Sequence, residues 1–304
     1  DQKLLNSGFN CPLLLMTSGG TLTNISSACN NPVRLVESGP AGGAILATSI
    51  AEDMNLSKVI SFDMGGTTAK ITIIENKKAI KAREFEVDRK ARFKKGSGYP
   101  LRIPVIEMVE IGAGGGSIAR VNKLEQIITG PDSAGSFPGP ACYSNGGSMP
   151  TITDADLVIG KIDPNNFAGG KIKLSKQLAD KAITENIVKF VNIDTNIAAL
   201  AISEIVDETM SNAARVHTVE QGHETSNRTL IAFGGAAPLH IARVAEKLRV
   251  SNVIIPTNAS VGSAVGFLKA PVGYEVVKSL RMLLNGFEAD KVNDLLEKMK
   301  NEAQ

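Results

Sequence analysis

The stretch that most constrains this chain is Ile60-Ser61-Phe62-Asp63-Met64-Gly65-Gly66-Thr67-Thr68-Ala69-Lys70-Ile71-Thr72-Ile73-Ile74. Val59 to Phe62 is a β-branched and aromatic run, which predicts a buried strand, and Ile71 to Ile74 predicts a second one. Between them the pattern predicts a tight Gly-Gly-Thr-Thr turn, hence a β-hairpin. Such a turn gathers backbone N–H groups and two hydroxyls in one small space, a setting that suits an anion and most often a phosphate. Asp63, at the strand end, is placed to hold a divalent metal or to orient a nucleophile. A plain hairpin turn, with glycine for positive φ and Asp63 capping its own loop, satisfies the same residues.

Composition removes several function classes. With 304 residues the chain can bury a full core, and 43% hydrophobic residues is ordinary for a globular protein. A net charge of +2 with balanced acids and bases, 4% aromatics and no Trp argue against a nucleic-acid surface. Cys11, Cys29 and Cys142 have no metal-ligand spacing, and His217, His223 and His240 do not cluster with them. They read as reduced, buried thiols of a cytoplasmic protein, with no zinc site. No run of eighteen apolar residues and no charged-then-apolar leader is present, so neither a membrane span nor a signal peptide is expected.

The strand–Gly-Gly pattern recurs twice. Val105 to Ile111 leads into Gly112-Ala113-Gly114-Gly115-Gly116-Ser117, which reads as a substrate or phosphate loop or as a tight bulge. It is not the dinucleotide fingerprint, because no long helix follows. Thr229 to Phe233 delivers Gly234-Gly235-Ala236-Ala237-Pro238-Leu239-His240 ahead of a helix over 241–248, a junction with room for a flat ring or a phosphate. Three such junctions in one α/β chain make a phosphate-bearing ligand the leading expectation.

The rest of the chain reads more quietly. Ser38 is expected to cap a helix running to Met54, and Arg92 to Gly98 is a basic run after an edge hairpin. Residues 129–150 predict a long ordered loop, with Cys142 as a packed thiol or a nucleophile. Thr153 or Asp154 is expected to cap the next helix, and the pair Asp154 and Asp156 could serve a metal or an acid/base step. Leu178, Ala182, Ile183, Ile187 and Phe190 mark one helical stripe, and 195–219 a second helix; both are read as core without chemistry. His240 is expected to be a satisfied structural histidine. Residues 260–266 predict a small-residue helix start, and Phe287 to Gln304 an amphipathic helix.

Phe62-Asp63-Met64-Gly65-Gly66-Thr67-Thr68, the block 111–119, Gly130-Pro131-Asp132-Ser133-Ala134-Gly135, Pro138-Gly139-Pro140-Ala141-Cys142-Tyr143, Thr151-Ile152-Thr153-Asp154-Ala155-Asp156 and the block 233–240 resemble, in order, the signature blocks of the hydantoinase A / 5-oxoprolinase family. The N-methylhydantoinase-like branch is nearest in appearance. The resemblance covers about residues 37–268 and implies an α/β, actin-like ATPase (ribonuclease H-like) fold, with 270–304 as a helical extension. It implies ATP-dependent opening of a cyclic amide through phosphorylation of a ring carbonyl, or the related activation of a ketone by a carboxylase subunit. A non-catalytic ATP-binding module is the alternative from another class. Carried onto this sequence, Asp63 and the turn Gly65, Gly66, Thr67 and Thr68 become the second phosphate loop, with Asp63 on Mg²⁺. Gly234, Gly235 and Ala236 take the adenosine. Gly112, Gly114, Gly115, Gly116 and Ser117 line the cleft near Asp154 and Asp156, and a hydantoinase B-type subunit or domain is the partner. Two departures stand out. Many relatives carry an Asp where this chain has Lys70, and nothing before Leu13 supplies the family's first Asp-x-Gly-Gly-Thr loop, so the chain reads as the second part of a longer protein.

Overall fold

β-Branched residues alternate faces in the hairpin that anchors the fold, and both faces are buried. The computed structural model describes residues 2–87 and 96–303. In it, β1 (Lys58–Met64) runs antiparallel to β2 (Ala69–Glu75), with Met64 opposite Ala69. Strand β3 (Met108–Ile111) adds to the outer side of β2, as does the short strand Lys78–Ala79. A separate ribbon, β4 (Ser117–Val121) with β5 (Ile127–Ser133), follows. On its other side β1 pairs in parallel with β6 (Thr229–Phe233), which in turn pairs in parallel with β7 (Asn252–Ile254). The sheet order is therefore β3-β2-β1-β6-β7.

Helices cover both faces, as a sheet with parallel central strands requires. On one face, α1 (Ser38–Asp53) and α6 (Gly262–Lys269) pack over Val59, Ile74, Ile231 and Phe233. On the other, α2 (Ile152–Val158), α3 (Lys176–Ile183), α4 (Thr195–Glu220) and α5 (Ala237–Leu248) bury Ile60, Phe62, Ile71, Leu230 and Ala232. Each fully buried Ile or Phe of this core contributes about 1.5–3 kcal/mol relative to exposure. The small residues predicted over 260–266 let α6 cross α1 closely: a Cβ on Gly266 would sit 1.8 Å from the Gly42 carbonyl oxygen. The tail carries α7 (Ala289–Ala303).

Several local expectations are corrected. Of the three thiols expected to be buried, Cys142 is, while Cys11 and Cys29 are exposed. Ser38 opens α1 as its first helical residue, while the cap is Glu37 in the left-handed region at φ 60°. The long loop starts later than residue 129, because Gly130 to Ser133 belong to β5. Helix α5 begins at Ala237, so His240 lies one turn inside it. Leu178 and Phe190 are exposed although the stripe they mark is helical; a π-turn over Thr184–Val188 shifts the face on which Phe190 falls. The Arg92–Lys95 portion of the basic run lies outside the described residues.

Candidate active site

The three glycine junctions, 47 to 169 residues apart in sequence by their first glycines, meet at one end of the sheet. Strand pairing explains the first meeting. β1 and β6 are parallel neighbours with Phe233 opposite Asp63, so the loops leaving their C-terminal ends emerge side by side. The Ala236 N–H donates to the Met64 carbonyl at 2.9 Å, and the Gly234 N–H to that of Ala259 at 2.7 Å. Gly234 has φ +87°, and a Cβ there would lie 2.4 Å from the Met64 oxygen, so only glycine fits.

The loop after β3 grips the same turn from the other side. The Gly115 N–H donates to the Gly65 carbonyl at 3.1 Å and the Gly116 N–H to the Gly66 carbonyl at 2.6 Å. A Cβ on Gly114 would meet the Thr67 nitrogen at 2.5 Å. Gly114, Gly115, Gly116 and Ser117 are buried, so they brace the turn from behind instead of lining a cleft. Of that loop, Gly112 borders open space. It lines a cavity of about 860 Å³ together with Thr67, Thr68, Glu37, Glu107 and Glu110.

What the braces leave open is the outer surface of the turn. A Cβ on Gly65, Gly66 or Gly235 would meet nothing within 4 Å. Gly66, Thr67 and Gly235 are exposed, and Gly65 closes the turn by donating to the Thr68 carbonyl at 3.1 Å. Glycines that crowd no neighbour, next to glycines that crowd several, separate a surface free for a ligand from its structural support.

Asp63 sits half-buried at the base of this surface. Ser263 Oγ on α6 donates to its Oδ2 at 2.8 Å. Burial pushes its carboxyl above the usual range, against the opposing effects of the Ser263 hydrogen bond and the Lys70 charge. Lys70 Nζ donates to Thr68 Oγ1 at 2.8 Å and lies 3.1 Å from Glu110 Oε1, so it stiffens the turn and links it to β3. Glu37, on the cavity wall, is also raised, by burial and by Glu110, with Lys70 opposing. One carboxylate beside two threonine hydroxyls and bare N–H groups suits Mg²⁺, which keeps most of its waters and shares oxygen ligands with a phosphate. Among the described residues no group of three or more His, Cys, Asp or Glu side chains forms an all-protein metal cage.

Asp154 and Asp156 are fully engaged elsewhere. The cap of α2 is Thr151, two residues before the earlier of the two expected positions, and Asp154 completes a capping box with it. Asp154 Oδ2 accepts from the Thr151 N–H and Oγ1 at 2.8 Å each and from the Ala141 N–H at 3.2 Å; its Oδ1 accepts from the Cys142 N–H at 2.7 Å. No lone pair faces solvent, so Asp154 staples the 134–150 loop to α2. Burial, with Asp154 adding to it, pushes the neighbouring Cys142 thiol far up, which removes it as a nucleophile at ordinary pH. Thr153 holds the glycine loop: its N–H and Oγ1 both donate to the Gly115 carbonyl at 2.8 Å.

Asp156 belongs to a buried charge network that the sequence reading missed. His240 Nδ1 lies 2.8 Å from Asp207 Oδ1 on α4, and its Nε2 lies 3.1 Å from Asp156 Oδ2 in a close but poorly aligned ion contact. Lys161 Nζ is 3.6 Å from Asp156 and 4.0 Å from Asp207 and donates to Ser203 Oγ, which donates on to Asp156. Asp207 and Ser203 lie on the helix expected to carry core only. Neither carries a signal of it in the sequence, since a lone Asp in a long helix reads as solvated.

A family model described as hydantoinase/oxoprolinase matches residues 1–276. The chain belongs to this family. A protein of Methanocaldococcus jannaschii is 39% identical over 296 residues, covering 96% of this chain and 43% of that protein. The acetone carboxylase structure in its nucleotide-free form aligns with TM-score 0.82 and 26% identity, over 99% of this chain and 42% of that one. The ATP-dependent caprolactamase of Pseudomonas jessenii aligns with TM-score 0.77 and 30% identity, over 99% and 43% respectively. The fold is accordingly the expected α/β type, shared with these two enzymes, and the chain spans less than half the length of these relatives. No described helix is long and apolar enough to cross a membrane.

Proposed function

We propose that this chain provides the second phosphate-binding turn and the adenosine-side junction of an ATP-dependent enzyme that activates a carbonyl oxygen by phosphorylation, opening a cyclic amide of the hydantoin or 5-oxoproline type. The observation that carries the reading is the convergence of Gly65, Gly66 and Gly235, all without neighbours, on one surface braced by crowded glycines. When bound, Mg-ATP would supply the phosphoryl group to a ring carbonyl oxygen, with ADP leaving; water attack at that carbon would expel the ring nitrogen, and a second water would release phosphate. Asp63, with Thr67 and Thr68, holds the metal and phosphate oxygens. The bare N–H groups of the turn donate to the phosphate, and Gly234 to Ala236 leave room for the adenine ring. Gly112 borders the cavity assigned to substrate. Asp154 and Asp156 act behind the site, as supports. Positioning and fixed dipoles suffice for this chemistry, which needs no nucleophilic side chain.

Activation of a ketone for carboxylation is the second reading, favoured by the similarity to acetone carboxylase. In either case a B-type subunit or domain completes the enzyme, and ATP use suits the cytoplasm. The cavity wall favours a neutral ring such as a hydantoin over 5-oxoproline, which carries a carboxylate, because Glu37, Glu84, Glu86, Glu107 and Glu110 face it against Arg83. The test is phosphate release from Mg-ATP by the full-length protein with hydantoins, 5-oxoproline or simple ketones, with Asp63→Asn as control. Release that depends on one compound and on Asp63 supports the reading. Release that Asp63→Asn leaves unchanged overturns it.

A further inference from the structure

We infer that His240, set between Asp156 and Asp207, is a positioning residue that anchors both grips on the phosphate turn at one point. The path is short on each side. His240 lies one turn into α5, whose start at Ala237 directly follows the junction that holds Met64 through the Ala236 N–H. Asp156 lies one turn into α2, three residues after Thr153, which holds Gly115 and through it the Gly65 and Gly66 carbonyls. Asp207 and Ser203 bring α4 in as a common backing for both helices. One imidazole therefore joins the rear of the two supports that clasp residues 64–66 from opposite sides. The inference deepens the proposed function and takes from it only the role of the turn.

Charge and burial favour a fixed joint here. His240 is fully buried, and with Asp156, Asp207 and Lys161 it forms a set of two negative and two positive groups. Burial alone would discharge the imidazole, but the close contact with Asp156, the hydrogen bond with Asp207 and the charges of both carboxylates outweigh it and hold the ring protonated to about pH 9. The groups facing it are Asp156 from α2, Lys161 from the turn after α2, and Asp207 with Ser203 from α4. Beyond them a solvent-side rim pairs Glu204 and Glu208 on α4 with Arg243 and Lys247 on α5. Buried pairs of this kind add little net stability yet specify geometry strongly, since removing one member leaves an uncompensated charge.

The test is amide hydrogen exchange on His240→Gln and on the double variant Asp207→Asn/His240→Gln, which keeps the Asp156–Lys161 balance and so guards against simple misfolding. The expected result in the double variant is exchange faster by on the order of tenfold at the Gly115, Gly116 and Ala236 amides, with the β1 and β6 amides changed far less. In the parent protein, raising the pH through about 9 should loosen the same three amides relative to the strands. Equal acceleration at turn and strand amides, or none at the turn, overturns the inference. ATP titration of the same samples keeps the two proposals apart. A parent protein that binds no ATP sinks the nucleotide reading while the exchange pattern still decides the joint.

Discussion

Substituting adjacent glycines of one junction separates fold from function, because their surroundings differ so sharply. Gly234 has φ +87°, and a Cβ there would lie 2.4 Å from the Met64 oxygen, 2.7 Å from Asp63 Oδ1 and 2.8 Å from the Met64 carbonyl carbon. Two of those atoms are backbone and cannot swing aside. Alanine in the left-handed region costs about 1–2 kcal/mol. Relieving the overlap means moving the Met64 carbonyl, which sacrifices the hydrogen bond from the Ala236 N–H, worth about 0.5–1.5 kcal/mol. Gly234→Ala is therefore expected to lose about 1.5–3.5 kcal/mol, or roughly 3–7 °C in melting temperature at about 2 °C per kcal/mol for a chain this long. Gly235 has no neighbour within 4 Å of a built Cβ and is exposed. Gly235→Ala should hold its melting point within about 1 °C, since surface changes stay within roughly 0.5 kcal/mol. If adenosine occupies that space, the same methyl should weaken ATP binding at least about fivefold, as overpacking a closed contact costs about 1–3 kcal/mol. Thermal unfolding and ATP titration of both variants measure this. A Gly234→Ala protein as stable as the parent, or a Gly235→Ala protein with full affinity, would refute the division of the glycines into braces and ligand surface.

The remaining predictions are briefer. His240 has its pKa raised from 6.5 to about 9, so its stabilisation is fully present below pH 6.5 and is lost as pH rises through about 9. The loss is on the order of 3 kcal/mol, and urea unfolding at several pH values should show a decline over that window that is absent in His240→Gln. Thiol titration of the native protein should find Cys11 and Cys29 reactive and Cys142 silent until denaturant is added, because only the first two are exposed. Gly266→Ala should cost more than about 3 kcal/mol, since its methyl would press on the Gly42 backbone at 1.8 Å, whereas Gly39→Ala, with open space around it, should gain up to about 1 kcal/mol from helix propensity. Chemical denaturation of the pair checks both signs. Removing Ser263 Oγ by Ser263→Ala deletes the hydrogen bond that opposes the raised pKa of Asp63, so any Asp63-dependent activity should lose its acidic limb at a higher pH than in the parent.

Legibility of this chain in its sequence followed the range of the forces involved. The hairpin at 58–75, strand Thr229–Phe233 and helix Thr195–Glu220 were readable because short periodic patterns encode them. Glycine clusters flagged all three junctions, yet a Gly-Gly pair reads the same whether its missing side chain makes room for a ligand, as at Gly235, or for the chain itself, as at Gly114. The assignment of Gly114 to Ser117 to a cleft failed for that reason. The Thr151 cap was misplaced by two residues because Thr151 and Thr153 are equivalent locally. What separates them is that Thr153 is drawn to the Gly115 carbonyl, 38 positions away.

The least legible feature is the one that ties the site together. Nothing near Asp207 in sequence marks it, since an acidic residue in a long helix is ordinarily solvated. It is buried because α5 folds back across α4 after β6, which brings His240 against it from 33 positions away, and because α2 supplies Asp156 from the other side. An apolar triplet at these three positions would pack as well and specify less, since aliphatic contacts tolerate sliding and hydrogen-bonded ions do not. A turn that must present N–H groups to a phosphate within a few tenths of an ångström gains from supports that cannot slide. The same reasoning accounts for Lys70: bound to both Thr68 and Glu110, it fixes the far end of the turn as His240 fixes the near one. Precision at the turn thus rests on charges that never touch the ligand.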